Sequence, residues 1–166
     1  MSKPMGSIPA DFAADGPFLR IGGREVGALI EEAGGTPLFI YDLNIVQRRI
    51  GNFRAAFPEL QLHYAIKANP YLPLLQYIHK QVDGLDVASE GELKLALQAG
   101  ADAGDISFAG PGKRDPELAA AIEAGATLNC ESEGEAERAL TIAERLSVRP
   151  RLAVRVNPPF EMRGSG

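Results

Sequence analysis

The 166-residue sequence contains one cysteine and no long run of apolar residues. A single cysteine cannot form an internal disulfide, which excludes a disulfide-held scaffold and fits a reducing compartment. No apolar run approaches the roughly 18 residues that a membrane-spanning helix needs, and Met1–Phe12 lacks the basic and apolar regions of a secretion signal. We therefore expect a cytoplasmic protein with no membrane partner.

An excess of basic charge is also missing, because 17 Lys and Arg residues stand against 22 Asp and Glu residues, for a formal net charge of −5. Such a chain cannot neutralise the phosphates of nucleic acid or anionic lipid, so a polyanionic partner is excluded on electrostatic grounds. Apolar residues make up 45% of the sequence, which excludes disorder and predicts a globular domain with a core. A small molecule is the expected ligand.

The first 36 residues differ in character from the rest of the chain. They are rich in Gly and Pro, and Phe18–Val26 predicts a hairpin that turns at Gly22 and Gly23. From Thr36 onward, amphipathic helices alternate with short β-prone runs. The first of these helices is predicted to begin with Asp42 as its N-cap and to end at Pro58.

Five β-prone runs follow one another at intervals of roughly 20 to 25 residues, which is enough for a helical crossover between parallel strands. This rhythm predicts an α/β fold and leaves two architectures open, a doubly wound sheet and a (β/α)8 barrel. A leucine-rich solenoid is excluded because its repeat signature is absent. The predicted strands are Gln61–Ala68, Leu85–Ala88, Ile106–Ala109, Thr127–Cys130 and Leu152–Val156.

Helix start and stop signals lie between these strands. Two Ser-x-x-Glu segments, 89–92 and 132–135, predict capping boxes, and Asp115 followed by proline predicts a third helix start. Gly100 and Gly125 stand where a left-handed C-terminal cap is expected. Glu92 is close enough in sequence to reach a site at the strand ends, although the capping box accounts for it fully.

Lys67 lies at the C-terminal end of the first predicted parallel strand, where α/β enzymes hold their ligands. Strand alternation places His63, Ala65 and Lys67 on one face and apolar residues on the other. Small neighbours beside a lysine fit a ligand site. A surface lysine whose stem packs along the strand is the alternative that the pattern alone leaves open.

Four motifs in order give the sequence a resemblance to a known family. The chain is similar to the fold-type III pyridoxal-phosphate decarboxylases, to their diaminopimelate decarboxylase branch, and especially to the decarboxylase-like proteins associated with the exosortase system. The similarity runs from about Thr36 to the last residue. It is carried by Tyr64-Ala65-Ile66-Lys67-Ala68-Asn69, Asp86-Val87-Ala88-Ser89 with Gly91-Glu92-Leu93, Phe108-Ala109-Gly110-Pro111-Gly112-Lys113, and Val154-Arg155-Val156-Asn157-Pro158.

The resemblance implies a cofactor and roles for four residues. Lys67 matches the lysine that holds pyridoxal 5′-phosphate as a Schiff base and is displaced by the substrate amine. Ala65 matches a small residue under the cofactor ring. Asp86 and Arg155 match the acidic and basic residues near that lysine and the ring. The implied fold is a partial (β/α)8 barrel of the alanine racemase and group IV decarboxylase type, with five βα units.

The local pattern adds a prediction about Arg155. A charge on the inner face of a barrel strand requires a partner, and Asp86, which alternates with Gly84 and Ala88, is the predicted one. A buried ion pair that only fixes the register of the strands is the alternative interpretation.

Other polar residues are predicted to have no role in chemistry. Gly110–Lys113 fails the P-loop pattern, because a P-loop needs Ser or Thr where Arg114 stands. His63 and His79 have no companion spacing, so no metal site is predicted. Cys130 is expected to be a small buried residue.

The resemblance also implies an organisation and an activity. Residues 1–36 would join a C-terminal β domain that is missing here, residues 37–166 would form an incomplete cofactor-binding barrel, and the chain would be the N-terminal fragment of a longer enzyme. The full-length enzyme would be a homodimer that decarboxylates a small amino acid such as diaminopimelate, ornithine or lysine. A non-catalytic pyridoxal-phosphate carrier and an amino-acid racemase are the alternatives.

Overall fold

The computed structural model describes residues 10–12 and 18–156, and the chain divides into two compact units, residues 1–58 and 59–166. The first unit contains a short 3-10 helix at Ala10–Phe12 and an antiparallel hairpin of β1 (Arg20–Ile21) and β2 (Arg24–Glu25). Gly22 and Gly23 turn the hairpin with φ angles of 58° and 76°, which glycine adopts without strain. The predicted hairpin is confirmed.

The described part of the first unit also contains two helices, α1 (Val26–Ala33) and α2 (Leu43–Ala56). The side chain of Asp42 caps α2 by accepting a hydrogen bond from the backbone N–H of Asn44 at 2.9 Å, as predicted. Helix α1 was not predicted. It is short, contains Gly27 in its first turn and has no side-chain cap, so the usual helix signals are weak.

The second unit is a parallel five-stranded sheet with helices between its strands. Strand order follows the sequence without reversal, β3-β4-β5-β6-β7. A doubly wound sheet reverses its order at a switch point, whereas a barrel does not, so the order selects the (β/α)8 barrel. The elements are β3 (His63–Ala65), α3 (Leu72–Ile78), β4 (Gly84–Val87), α4 (Glu90–Gln98), β5 (Ile106–Phe108), α5 (Asp115–Ala124), β6 (Thr127–Cys130), α6 (Glu133–Leu146) and β7 (Arg151–Val154), with 3-10 helices at Ile66–Ala68 and Ala103–Asp105.

The described residues therefore form four complete βα units and the strand of a fifth. The predicted division of the chain at residue 36, with residues 1–36 joining a further β domain, stays a prediction. The strand register places Ala65 beside Asp86 and Asp86 beside Ser107. Polar and small residues at the ends of neighbouring strands are thus brought into one row.

The core lies between the sheet and its helices. Leu85, Val87, Ile106, Phe108 and Leu128 point from the strands to the helices, and each is at most 2% exposed. They alternate with Asp86, Ser107 and other residues of the opposite face, as parallel strands with one helix-covered face require. The helices contribute Leu93, Leu118, Ile122 and Ile142 to the same core.

Several predicted boundaries are corrected. Strand β3 ends at Ala65, and a turn closed by the hydrogen bond from Asn69 N–H to Ile66 O follows, because Asn69 precedes a proline and is extended. Helix α5 begins one residue earlier than predicted, after Arg114. Strand β7 ends at Val154, so Arg155 lies just past it. Asn157 and Pro158 of the fourth motif lie outside the described residues.

Within residues 10–12 and 18–156, no helix is both long enough and apolar enough to cross a membrane.

Candidate functional site

An open cavity of about 360 Å³ lies at the carboxyl ends of the five parallel strands. Loops and side chains at these ends converge in a barrel, which makes this edge the usual place for a ligand. The four residues that the sequence singled out all line the cavity. The complete lining is Ala65, Lys67, Asp86, Val87, Ala88, Glu92, Ser107, Ala109, Asn129, Glu131 and Arg155.

Lys67 projects from the 3-10 turn that follows β3 and is exposed. Among the described residues, no hydrogen bond or ion pair reaches its amine. The neighbouring walls are small, since Ala65, Ala88 and Ala109 line the same cavity. The arrangement is an accessible amine in a cavity whose wall includes three alanines.

Asp86 occupies the middle of the row formed by β3, β4 and β5, and its carboxylate is half-exposed. His63 lies beside it, with 3.6 Å between Nδ1 of His63 and Oδ1 of Asp86. The imidazole rests on Gly84, where an added Cβ would come within 2.4 Å of the ring. A glycine is therefore required under His63, a neighbour of Asp86 that the sequence did not assign to the site.

Arg155 does not pair with Asp86, so that prediction is wrong. Its guanidinium donates to both carboxylate oxygens of Glu131, at 3.2 and 3.0 Å. The physical reason is the strand order. Two strands separate β4 from β7, about 14 Å at the usual strand spacing, whereas Glu131 follows the adjacent strand β6.

The side chain of Glu131 links Arg155 to the loop that follows β5. It also accepts a hydrogen bond from the backbone N–H of Gly110 at 3.0 Å. Burial raises the pKa of Glu131, but the Gly110 N–H, the Arg155 guanidinium and the charge of Lys113 together lower it below its ordinary value. Glu131 is thus held as a carboxylate that fixes Arg155.

Three polar residues of the wall escaped the sequence prediction, namely Ser107, Asn129 and Glu131. The side-chain amide of Asn129 donates to the hydroxyl of Ser107 at 2.7 Å and so bridges β5 and β6. A signal was present for Ser107 and Asn129, because each lies on the inner face of a strand whose outward-facing positions are apolar, whereas Glu131 lies just past the end of β6. Glu92, interpreted only as a cap, also lines the cavity.

Both Ser-x-x-Glu segments form the predicted serine caps, but their carboxylates differ from the expected pattern. Ser89 and Ser132 accept from the N–H three residues later. Each glutamate then accepts from the residue before the serine, Ala88 for Glu92, rather than from the serine itself. The carboxylate therefore ties the strand end to the helix.

Lys113 is buried and its amine is fully hydrogen-bonded inside the fold, so it does not face the cavity as a phosphate-binding lysine would. Cys130 is buried as expected, and burial raises the pKa of its thiol. No group of three His, Cys, Asp or Glu side chains that could hold a metal ion occurs in the described part of the chain.

Comparison with known proteins agrees with the fold. Residues 43–165, well over half of the chain, match the family model described as pyridoxal-dependent decarboxylase, pyridoxal binding domain. A diaminopimelate decarboxylase of Campylobacter jejuni is 39% identical over 132 residues, covering 78% of this chain and 33% of the relative. One from Aquifex aeolicus is 38% identical over 128 residues, covering 76% and 30%.

Solved structures give the same result. A protein from Aquifex aeolicus superposes with a TM-score of 0.82 at 34% identity, covering 91% of this chain and 38% of that one. Diaminopimelate decarboxylase from Helicobacter pylori, complexed with L-lysine, gives a TM-score of 0.72 at 32% identity, covering 79% and 34%. The chain spans about a third of the length of the curated relatives.

The predicted resemblance to the decarboxylases and their diaminopimelate branch is confirmed, whereas the narrower likeness to exosortase-associated proteins stays a prediction. The barrel strands, the cavity at their carboxyl ends and the family match over residues 43–165 agree. The chain belongs to the pyridoxal-dependent decarboxylases, in the region of their pyridoxal-binding domain.

Proposed function

We propose that this chain binds pyridoxal 5′-phosphate through Lys67, and that the full-length gene product decarboxylates an amino acid with a second polar end, such as diaminopimelate, ornithine or lysine. The observation that carries the proposal is the position of Lys67. Its amine lines the cavity inside the region that matches the pyridoxal-binding domain. The names of the relatives support a decarboxylase over a carrier or a racemase.

The chemistry of the wall fits this cofactor. A planar aromatic aldehyde needs an amine that no other group occupies, a flat apolar surface for its ring and charged groups for its oxygens. Lys67 supplies the amine, and Ala65, Ala88 and Ala109 supply small side chains beside it. Asp86 and Arg155 supply one charge of each sign.

The cofactor, when bound, serves as the electron sink for the bond that breaks as carbon dioxide leaves. The residues of the chain bind and orient. Lys67 holds the cofactor aldehyde and must present an unprotonated amine to do so. Arg155, fixed by Glu131, offers its remaining N–H groups to an anionic oxygen, and Asp86 supplies a carboxylate to the same cavity.

Replacing the proposed lysine tests the assignment directly. In the full-length protein, Lys67→Ala should abolish the visible absorbance of the bound cofactor and lower the rate of carbon dioxide release by at least about 100-fold, the scale of a lost catalytic group. Borohydride reduction followed by peptide mass analysis should place the cofactor on Lys67 in the wild type. A panel of diamino acids identifies the substrate.

Lys94→Ala is the matched control, because Lys94 is an exposed lysine that pairs with Glu90 on the surface of α4. It should retain both the cofactor and the activity. A reducible cofactor adduct in the Lys67→Ala protein would contradict the assignment. Cofactor binding without carbon dioxide release from any amino acid in the panel would favour the carrier.

We further infer a cytoplasmic homodimer. The single cysteine, which is buried and free, supports a compartment without disulfides. Light scattering of the full-length protein, with and without cofactor, tests the dimer, and a monomer in both states would contradict it.

A further inference from the structure

A buried ion pair lies just outside the cavity and has no part in the proposed chemistry. Lys113 and Glu135 are 4% and 3% exposed, and Nζ of Lys113 lies 3.1 Å from Oε2 of Glu135. The other carboxylate oxygen of Glu135 is buried with no hydrogen-bond partner among the described residues. A buried pair with an unpaired oxygen is costly to maintain, which raises the question of what it does.

The ammonium of Lys113 connects three elements of the barrel. Besides Glu135 at the start of α6, it donates to the backbone carbonyl of Gly110 at 2.6 Å and to that of Asn129 at 2.8 Å. Gly110 lies in the loop after β5, and Asn129 is in β6. All three donors of the ammonium are used, so Lys113 fixes two strand ends relative to one helix.

These bonds converge on one residue of the cavity wall, Glu131. The carboxylate of Glu135 accepts from the backbone N–H of Glu131 at 2.9 Å, and Gly110 donates its N–H to the side chain of Glu131 at 3.0 Å. Both partners are themselves bonded to Lys113. Glu131 in turn holds Arg155 through two hydrogen bonds.

Helix capping alone does not explain the lysine. The equivalent turn before α4 uses the same Ser-Glu-Gly-Glu segment, and Glu92 caps it with no buried lysine at its carboxylate. A buried ion pair is also weak support for stability, since apolar residues of similar volume often serve equally well. What the second turn has in addition is Glu131, at the position where the first has Ala88.

We propose that Lys113 is a positioning residue for the cavity, which sets the guanidinium of Arg155 by fixing Glu131 through Gly110 and Glu135. The inference rests on the proposed function, because it assigns Arg155 to the cofactor site. The inference predicts that the affinity for the cofactor depends on the length and charge of the side chain at position 113, although that side chain does not line the cavity.

The test uses the full-length protein with Lys113→Met combined with Glu135→Gln. The pair becomes neutral, and the glutamine oxygen can still accept from Glu131, so the variant is expected to fold. Backbone amide exchange at Gly110 and Glu131 should become faster in the cofactor-free protein. The dissociation constant for pyridoxal 5′-phosphate should rise about tenfold, a coupling of ordinary size between neighbouring groups.

Arg155→Gln supplies the decisive comparison. If Lys113 acts through Arg155, the paired variant should weaken cofactor binding no further in the Arg155→Gln background. The inference would be overturned if the combined Lys113 and Glu135 substitutions and Arg155→Gln weakened cofactor binding by factors that multiply when all three are present. It would also be overturned if the Lys113 variant had the dissociation constant of the wild type or unchanged amide exchange. Lys94→Met, which removes an exposed paired lysine, should leave both readouts unchanged.

The outcomes separate the two proposals. If Lys67 of the wild-type protein takes up no cofactor, the proposed function fails, while faster amide exchange in the Lys113 variant still supports the link to Glu131. If the wild type binds the cofactor but the Lys113 variant behaves like the wild type in both readouts, only the positioning role fails.

Discussion

Two turns of the barrel share the sequence Ser-Glu-Gly-Glu, at residues 89–92 and 132–135. In each, the serine hydroxyl accepts a hydrogen bond from the N–H of the second glutamate at 3.2 Å, and the serine ψ angles are 162° and 160°. In each, that glutamate accepts from the N–H of the residue before the serine, at 2.7 and 2.9 Å. The four-residue segment thus encodes one structure twice.

The surroundings of the two turns differ. Glu92 lines the open cavity, whereas Glu135 is sealed in the interior against Lys113. The residue before the serine is Ala88 in one turn and Glu131 in the other, so only the second turn places an acid beside Arg155. The local sequence therefore determines the cap. Whether the glutamate is buried or lines the cavity depends on the loop that follows the neighbouring strand, which for Glu135 contributes Lys113.

Replacing the second glutamate of each turn by glutamine should change the free energy of unfolding by different amounts, because one glutamate is buried and the other lines the cavity. Glu135→Gln leaves the buried ammonium of Lys113 without its carboxylate, and we expect a loss of about 3–5 kcal/mol in the free energy of unfolding. Glu92→Gln should cost about 1 kcal/mol or less, because the amide oxygen can still accept from Ala88 and the side chain is solvated by the cavity. Denaturant unfolding of the full-length protein measures both.

Equal losses in the two variants would show that the caps, and not the buried pair, dominate the stability of these turns. The double variant Lys113→Met with Glu135→Gln is the control. It removes both charges, and should recover much of the stability that Glu135→Gln alone loses.

Most of the barrel could be predicted because local signals and long-range packing agree in it. The apolar alternation of β4, β5 and β6 and the left-handed glycines at 100 and 125 all occur where the sequence placed them. Helix α1 was missed because it has a glycine in its first turn, no side-chain N-cap and no buried residue, which leaves the left-handed Gly34 at its C-terminus as the remaining signal. Choosing between barrel and doubly wound sheet needed the strand order, which no local pattern contains.

Only part of the cavity wall was predictable, and none of its pairings. The four residues that the resemblance singled out line the cavity, but Ser107 and Asn129, which also line it, were not singled out. The partner of Arg155 was wrong because charge alternation on single strands does not say which strands are neighbours. Glu131 was overlooked because it lies just past the end of β6, where no alternation rule applies, and Lys113 because a buried lysine resembles a surface one in sequence.

Lowering the pH should destabilise the turn that contains Glu131 more than the turn that contains Ala88. The pKa of Glu131 is lowered on folding, so its stabilising contribution is present above the ordinary value of 4.5 and is lost as the pH falls through the lowered value. In Glu131→Gln this contribution is absent, and stability should fall less steeply below pH 4.5. Unfolding midpoints measured from neutral pH to below that value provide the comparison.

Arg155→Gln should also make stability fall less steeply with decreasing pH below 4.5, because the Arg155 guanidinium is one of the groups that lower the pKa of Glu131. If the stability of both variants fell with pH as steeply as that of the wild type, other carboxylates would account for the acid sensitivity. Asp11, whose pKa is lowered by Arg48 and Arg49, and Glu117, whose pKa is lowered by Arg114, titrate in every variant and so cancel in the difference.

The smallest expected difference is between the two serines, and it tests whether the turns are the same structure. Ser89→Ala and Ser132→Ala each remove one capping acceptor, and each should cost about 1 kcal/mol. Because the two hydrogen bonds have equal length and geometry, the losses should agree within about 0.5 kcal/mol. Ser→Asn at either position keeps a capping oxygen and should restore most of the loss. A much larger cost at Ser132 than at Ser89 would mean that the hydroxyl also supports the buried pair, so that capping and positioning in the second turn are one interaction.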